Sequence, residues 1–160
     1  MNKPFTPLVA VVFAGLIAAT DLISKAAVVG RLPYGHKIEL MQSLNIVHAV
    51  NEGSAFGLLA NAGGWQRYFF IAVAVLASML LIHMIRKPAA GSTERAGLAM
   101  ILGGAVGNLV DRTARMGVVD WIDIYAGTYH WPAFNIADIG ITLGAATIVF
   151  HAFRGARATA

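Results

Sequence analysis

Long apolar runs separated by short polar breaks dominate the chain. The first runs from about Leu8 to Val29, is uncharged from Pro4 to Thr20, and carries Asp21 and Lys25 in its last turns. The second extends from Tyr68 to Ile85 and is closed by Arg86-Lys87-Pro88. The third starts after Arg95 and passes through Gly103-Gly104-Ala105-Val106-Gly107 to Asp111-Arg112. The fourth begins near Pro132, contains Asp138 and ends at Phe153-Arg154. A bilayer-spanning helix needs roughly 20 mostly apolar residues. The pattern therefore predicts an all-α membrane protein, a single domain over residues 1–160 with four transmembrane helices at about 8–29, 68–85, 96–112 and 133–153. One sizeable extramembrane segment, about 30–66, remains.

Composition supports this reading. Apolar types make up 58% of the residues and charged types 12%, about half the charged share of a typical soluble domain. Such a chain is too apolar for disorder. The absence of cysteine removes disulfides, thiolate metal sites and cysteine nucleophiles together. The net charge of +4 comes from scattered basic residues with no run of five, so nucleic acid is not indicated. Lys3, an apolar run and Ala18-Ala19 resemble a cleaved signal peptide. The apolar pattern continues past that point, and three more spans follow.

With four spans, both termini share a side with the 86–95 loop, where Lys3, Arg86, Lys87, Arg95, Arg154 and Arg157 lie on short segments. Basic density in short loops places that side in the cytoplasm. Trp65, Trp121, Tyr125, Tyr129 and Trp131 fall on the other side, as an interfacial aromatic belt does.

Carboxylates in membrane spans are costly and mark functional sites. Asp21, Asp111 and Asp138 all fall near the outer ends of their spans, with Asp120 and Asp123 in the outer connection between spans three and four. The segment Asn51-Glu52-Gly53-Ser54-Ala55-Phe56-Gly57 lies on the same side. In an up-down bundle these ends meet at one membrane level. The pattern Asn-x-x-Asp occurs at 108–111 and again at 135–138. A spacing of three places amide and carboxylate on one helix face, where the Asn can hold the carboxylate by hydrogen bonds. The glycines at 103, 104 and 107 allow close helix approach.

Two adjacent carboxyl groups resist double ionisation, so one keeps its proton. Such a pair can activate water and polarise a carbonyl together, as in aspartic proteases. The Asn-x-x-Asp repeat nominates Asp111 with Asp138. Arg112 beside Asp111 suits an ion-pair anchor, whereas the apolar setting Gly117-Val118-Val119-Asp120-Trp121-Ile122 favours a proton-holding Asp120 paired with Asp138, Asp111 supporting. Other hydrolytic solutions fit less well. There is no His-Glu-x-x-His zinc motif, and the adjacent Ser24 and Lys25 point about 100° apart on a helix. The histidines at 36, 48, 83, 130 and 151 form no cluster and read as structural or interfacial. Asp123 and Glu39 read as solvated or interfacial. The competing class is a small proton-coupled transporter, which places carboxylates near the midplane rather than at one interface.

These motifs resemble lipoprotein signal peptidase, the signal peptidase II family of bacterial inner-membrane aspartic proteases. The likeness rests on Asp21-Leu-Ile-Ser24-Lys25, on Asn51-Glu-Gly53-Ser-Ala55-Phe56-Gly57 and on Gly103-Gly104-Ala105-Val106-Gly107-Asn108-Leu-Val-Asp111-Arg112. Val118-Val119-Asp120 and Phe134-Asn135-Ile-Ala137-Asp138 complete it. The resemblance implies four helices with a small extracytoplasmic β-rich cradle after Gly30, between helices 1 and 2. It implies a catalytic dyad at Asp120 and Asp138. Asp21, Lys25, Asn51, Gly53, Gly107, Asn108, Asp111, Arg112, Asn135 and Ala137 match positions that shape the site or bind substrate. No metal and no cofactor are expected. The implied substrate is a prolipoprotein signal peptide, cut before a diacylglyceryl-cysteine by dyad-activated water. The expected protein is a multi-pass monomer among membrane lipids, with cytoplasmic termini and a site near the periplasmic face. The segment containing Asn51–Gly57 and Trp65 is expected to cover the site as a lid.

Overall fold

The computed structural model describes residues 5–53, 63–88 and 90–158, with side chains to residue 154. Lys3, Ser54–Gly57 and the Arg157 side chain lie outside the described residues, and the proposed lid falls largely there. Four long helices are present: α1 (Pro7–Val29), α2 (Trp65–Arg86), α3 (Ser92–Arg115) and α4 (Ile136–Ala158). Thr6 caps α1 by accepting from Val9 N, and Pro7 follows where a missing N–H costs nothing. Each helix exceeds 20 residues, so at 1.5 Å per residue each is about 33 Å or more in length. Among the described residues, α1, α2 and α4 are long and apolar enough to cross a membrane.

α3 does not share that composition, and packing explains why. It lies against all three other helices, and its buried face is built from Gly97, Leu98, Ala99, Leu102, Gly103, Gly104, Gly107, Asn108 and Asp111. A Cβ at Gly103 would press on Ala14 O at 2.6 Å. One at Gly104 would collide with Ala137 O. These glycines bring backbones together where van der Waals packing, rather than water exclusion, holds helices. On α1 the partner stripe is Ala10, Ala14, Ala18, Asp21, Lys25 and Val28, spaced by three or four residues. The stripe changes character along its length: alanines pack with Leu81, Ile85, Leu98, Ala99 and Leu102 in an apolar core, then Asp21 and Lys25 continue it at the other end of the bundle. Large apolar side chains such as Leu16, Ile23, Leu76, Leu80, Leu143 and Phe150 are exposed on the outer faces, as lipid contact requires.

A four-stranded antiparallel sheet of order β1-β2-β3-β4 joins the polar end. Strands β1 (Lys37–Met41) and β2 (Leu44–Asn51) form the cradle expected after Gly30. Strands β3 (Val118–Ala126) and β4 (Tyr129–His130) complete it from the α3–α4 connection, which the sequence pattern presented as a short link. The register pairs Asn51 with Val118, Val50 with Val119 and Ala49 with Asp120. Asn51 and Asp120 thus reach the helix ends on neighbouring strands.

Candidate active site

Lys25 organises the first part of the site. Its side chain and that of Asp21 are 0% exposed, and Asp111 is 1% exposed. The Lys25 ammonium lies 2.7 Å from Asp21 Oδ2 and 3.2 Å from Asp111 Oδ2, and donates to Asn108 Oδ1 at 2.8 Å. Asp21 spends its other oxygen on Ala137 N at 2.9 Å, fixing the start of α4. Asp111 accepts from Val119 N at 3.0 Å, fixing the start of β3. A Cβ at Gly107 would meet Asp21 Oδ2 at 2.5 Å, so this position has no room for a side chain. The ion-pair role expected of Asp111 is present with different cations: Arg115 at 2.7 Å and Lys25, not the adjacent Arg112. A basic residue four positions after Asp111 was the sequence signal for Arg115.

Arg112 instead turns toward the sheet end. It donates to Gly53 O at 3.0 Å and lies over the Phe70 ring, 5.2 Å from its centroid. Its charge faces Asp138, Asp120 and Asp111. Arg67, which the sequence patterns did not single out, donates to Arg112 O at 2.8 Å and Thr113 O at 2.9 Å, closing the carbonyl end of α3.

The two Asn-x-x-Asp copies do different things. At 135–138 the copy is a reciprocal cap: Asp138 N donates to Asn135 Oδ1 at 3.0 Å, and Asn135 N donates to Asp138 Oδ2 at 3.3 Å. This is capping-box geometry, with Asp at the third helical position. At 108–111 the copy lies inside α3, and the two side chains separate. Asn108 donates to Asp138 Oδ1 at 2.9 Å rather than holding Asp111.

Asn135, fully buried, also reaches Asp120: its Nδ2 donates to Asp120 Oδ1 at 2.6 Å. The side chain of Asn51 adds a second hydrogen bond to Asp120, and Asn51 Oδ1 accepts from Gly53 N at 3.0 Å. Burial pushes the Asp120 carboxyl up to about 7, and the neighbouring charge of Asp138 adds to the rise. The hydrogen bonds from Asn135 and Asn51 and the charge of Lys25 oppose it. Asp120, from β3, and Asp138, from the first turn of α4, are thereby held on one residue, the first by the Asn135 side-chain amide and the second by its backbone N–H. Ala137, between them in the chain, is completely buried, and its carbonyl lies against Gly104.

Asp123 departs from expectation. It is buried and not solvated, accepting from Asn45 Nδ2 at 2.7 Å and pairing with His130 Nδ1 at 2.8 Å. Burial alone raises its carboxyl; the bonds from Asn45 and His130 and the charges of His130 and Lys37 outweigh this, leaving it below the usual range. Asn45 faces Asp123 across the β2–β3 ladder, a pairing that only strand register reveals. Glu39 is exposed and accepts from Tyr125 OH at 3.2 Å. The cluster of Asp21, Lys25, Asn51, Gly53, Gly107, Asn108, Asp111, Arg112, Asp120, Asn135, Ala137 and Asp138 is continuous, linked by the contacts above.

Apolar helices around a buried Asp120 and a half-buried Asp138 make this a multi-pass membrane protein, and the family match places it in the aspartic peptidase class. The family model for signal peptidase (SPase) II matches residues 13–154, and the chain belongs to that family. The lipoprotein signal peptidase of Serratia marcescens is 44% identical over 158 residues, covering 99% of this chain and 92% of its own. That of Aeromonas hydrophila is 46% identical over 144 residues, covering 88% and 86%. A solved bacterial membrane enzyme superposes with a TM-score of 0.84 at 26% identity, over 96% of this chain and 93% of its own. A second gives 0.79 at 27% identity, over 94% and 96%.

Proposed function

We propose that Asp120 and Asp138 are the catalytic pair of an endopeptidase that removes signal peptides from diacylglyceryl-modified prolipoproteins, cutting before the lipidated cysteine. The observation that carries this reading is the pair of carboxyl groups bridged by Asn135. One member, ionised, takes a proton from water as its oxygen attacks the scissile carbonyl carbon. The other, protonated, donates a hydrogen bond to the carbonyl oxygen and so stabilises the charge that develops there. Collapse of the tetrahedral intermediate breaks the C–N bond, and a proton from the pair reaches the departing amine.

The placement of the pair suits a lipid-tagged substrate. α2 and α4 both pack on α3 but share no comparable contact with each other among the described residues. A signal helix in this reading reaches the pair laterally from the bilayer between α2 and α4, toward Arg112 with Phe70 beneath it and Asp138 with its donor Asn108. In this reading α3 also spans, made tolerable by its three neighbours. Both termini lie in the cytoplasm beside Arg86, Lys87, Arg95 and Arg154. The pair then sits near the periplasmic face of the inner membrane. In this reading the protein acts as a monomer.

Purified protein in lipid should shorten a diacylglyceryl-modified precursor in a gel-shift assay, leave the unmodified precursor intact, and keep its rate in a metal chelator. Cleavage of both precursors alike, or dependence on added metal, would overturn the proposal.

A further inference from the structure

Three asparagines contact the catalytic pair, and in two of them, Asn108 and Asn135, a donor held by the amide oxygen fixes which way the NH₂ points. A lysine ammonium only donates hydrogen bonds. The contact of Lys25 Nζ with Asn108 Oδ1 therefore turns the Asn108 amide so that its NH₂ points at Asp138 Oδ1. Likewise Asp138 N takes the oxygen of Asn135, which leaves the Asn135 NH₂ for Asp120. Asp138 consequently receives a donor on each oxygen: Asn108 Nδ2 on Oδ1 and the Asn135 backbone N–H on Oδ2. Neither donor can accept a proton in return. Asp138 also stands at the third position of α4, where the helix dipole favours negative charge.

The charges facing this carboxyl come from three elements. Arg112 of α3 and Asp120 of β3 act on Asp138 directly, and Lys25 of α1, paired with Asp21 and Asp111, acts on Asp120 and touches Asn108, the donor to Asp138. The ammonium of Lys25 is paired with Asp21 and Asp111, its charge also reaches Asp120, and its contact route to Asp138 is the Asn108 amide that it orients.

We propose that Lys25 is a positioning residue for catalysis: through Asn108 it holds Asp138 as the ionised base of the pair, leaving Asp120 as the acid that carries the proton. Asp120 suits the second role, because burial in the sheet keeps its proton to about pH 7. The water is then deprotonated from the α4 side, and the scissile carbonyl oxygen faces β3. This division of labour rests on the dyad reading above.

The test reads charge state and catalysis separately. ¹³Cγ-aspartate NMR of the whole protein in detergent, with Asp138 and Asp120 assigned by loss of their signals in Asp138→Asn and Asp120→Asn, is recorded at pH 6. The expected result is a carboxylate signal for Asp138 and a carboxylic acid signal for Asp120. Asn108→Leu, which leaves every ion pair in place, should displace the Asp138 signal toward the acid position. It should also lower kcat at pH 6 by about tenfold or more, with KM little changed. Lys25→Met combined with Asp21→Asn removes one charge of each sign and should give the same displacement. Adding Asn108→Leu to that pair should add nothing, because the two residues act in series. An Asp138 signal unmoved by Asn108→Leu, a fully additive triple variant, or a reversed assignment in the wild type overturns the inference. If the Lys25 variant does not fold, Asn108→Leu alone decides it. Failure of the dyad reading itself would appear differently, as an Asp138→Asn protein that still cuts its precursor.

Discussion

Around Lys25, two carboxylates share an ammonium; around Asn135, two carboxylates share one residue, Asp120 on its side-chain amide and Asp138 on its backbone N–H. The first arrangement is compensated. Asp21 and Asp111 are buried against Lys25, and Asp111 against Arg115 as well; Asp21 Oδ1 and Asp111 Oδ2 also accept from Ala137 N and Val119 N, near the starts of α4 and β3. The second arrangement has no cation in direct contact with either carboxyl group among the described residues. Amide donors orient Asp120 and Asp138 without neutralising them, so burial and mutual repulsion keep a proton in the pair. Asn108 sits between the two clusters, touching Lys25 on one side and Asp138 on the other. The same residue types become scaffold or reactive centre according to whether their partner carries a full charge.

The largest effect should come from the amide-held pair. Asp120→Asn and Asp138→Asn are each expected to reduce cleavage of a lipidated precursor by at least about a thousand-fold while the protein remains folded. An active Asp120→Asn would return the pairing to Asp111. Next comes the ammonium-held pair. Asp111→Asn should destabilise the protein by on the order of 3 kcal/mol, the usual consequence of breaking a buried ion pair. Its folded fraction should keep most of its turnover; thermal unfolding in detergent, beside the cleavage assay, measures both. A stable but inactive Asp111→Asn would erase the distinction between the clusters.

The third expected effect is a pH dependence. Asp120 holds its proton below about pH 7 and loses it above, so cleavage should fall by about tenfold per unit on the alkaline side. Stability carries the same signature. The native state binds this proton more tightly than the unfolded chain, so Asp120 makes stability decline as pH rises from its ordinary value of 3.8 to about 7. Asp120→Asn should flatten that slope in unfolding measurements; an unchanged slope would place the retained proton elsewhere.

Much of this was legible in the chain. Apolar runs marked the helices, and the carboxylates near one end of each marked the candidate site, because both follow from the energetics of a lipid solvent. What one dimension hid was lateral. The α3–α4 connection read as a short link, since its nine-residue strand Val118–Ala126 takes its meaning from pairing with β2. Asp123 read as solvated because Asn45, its partner, is 78 positions away. The two Asn-x-x-Asp copies looked alike, and only the place where α4 begins makes one a cap and the other a bridge between helices.

Because Asp138 closes the hydrogen bonds at the start of α4, completing the last helix at that end also delivers the proposed base to its working position. Assembly and competence become one event. A protease that lives among hydrophobic helices gains from this an arming mechanism: a half-inserted copy lacks the organised centre with which to attack its neighbours.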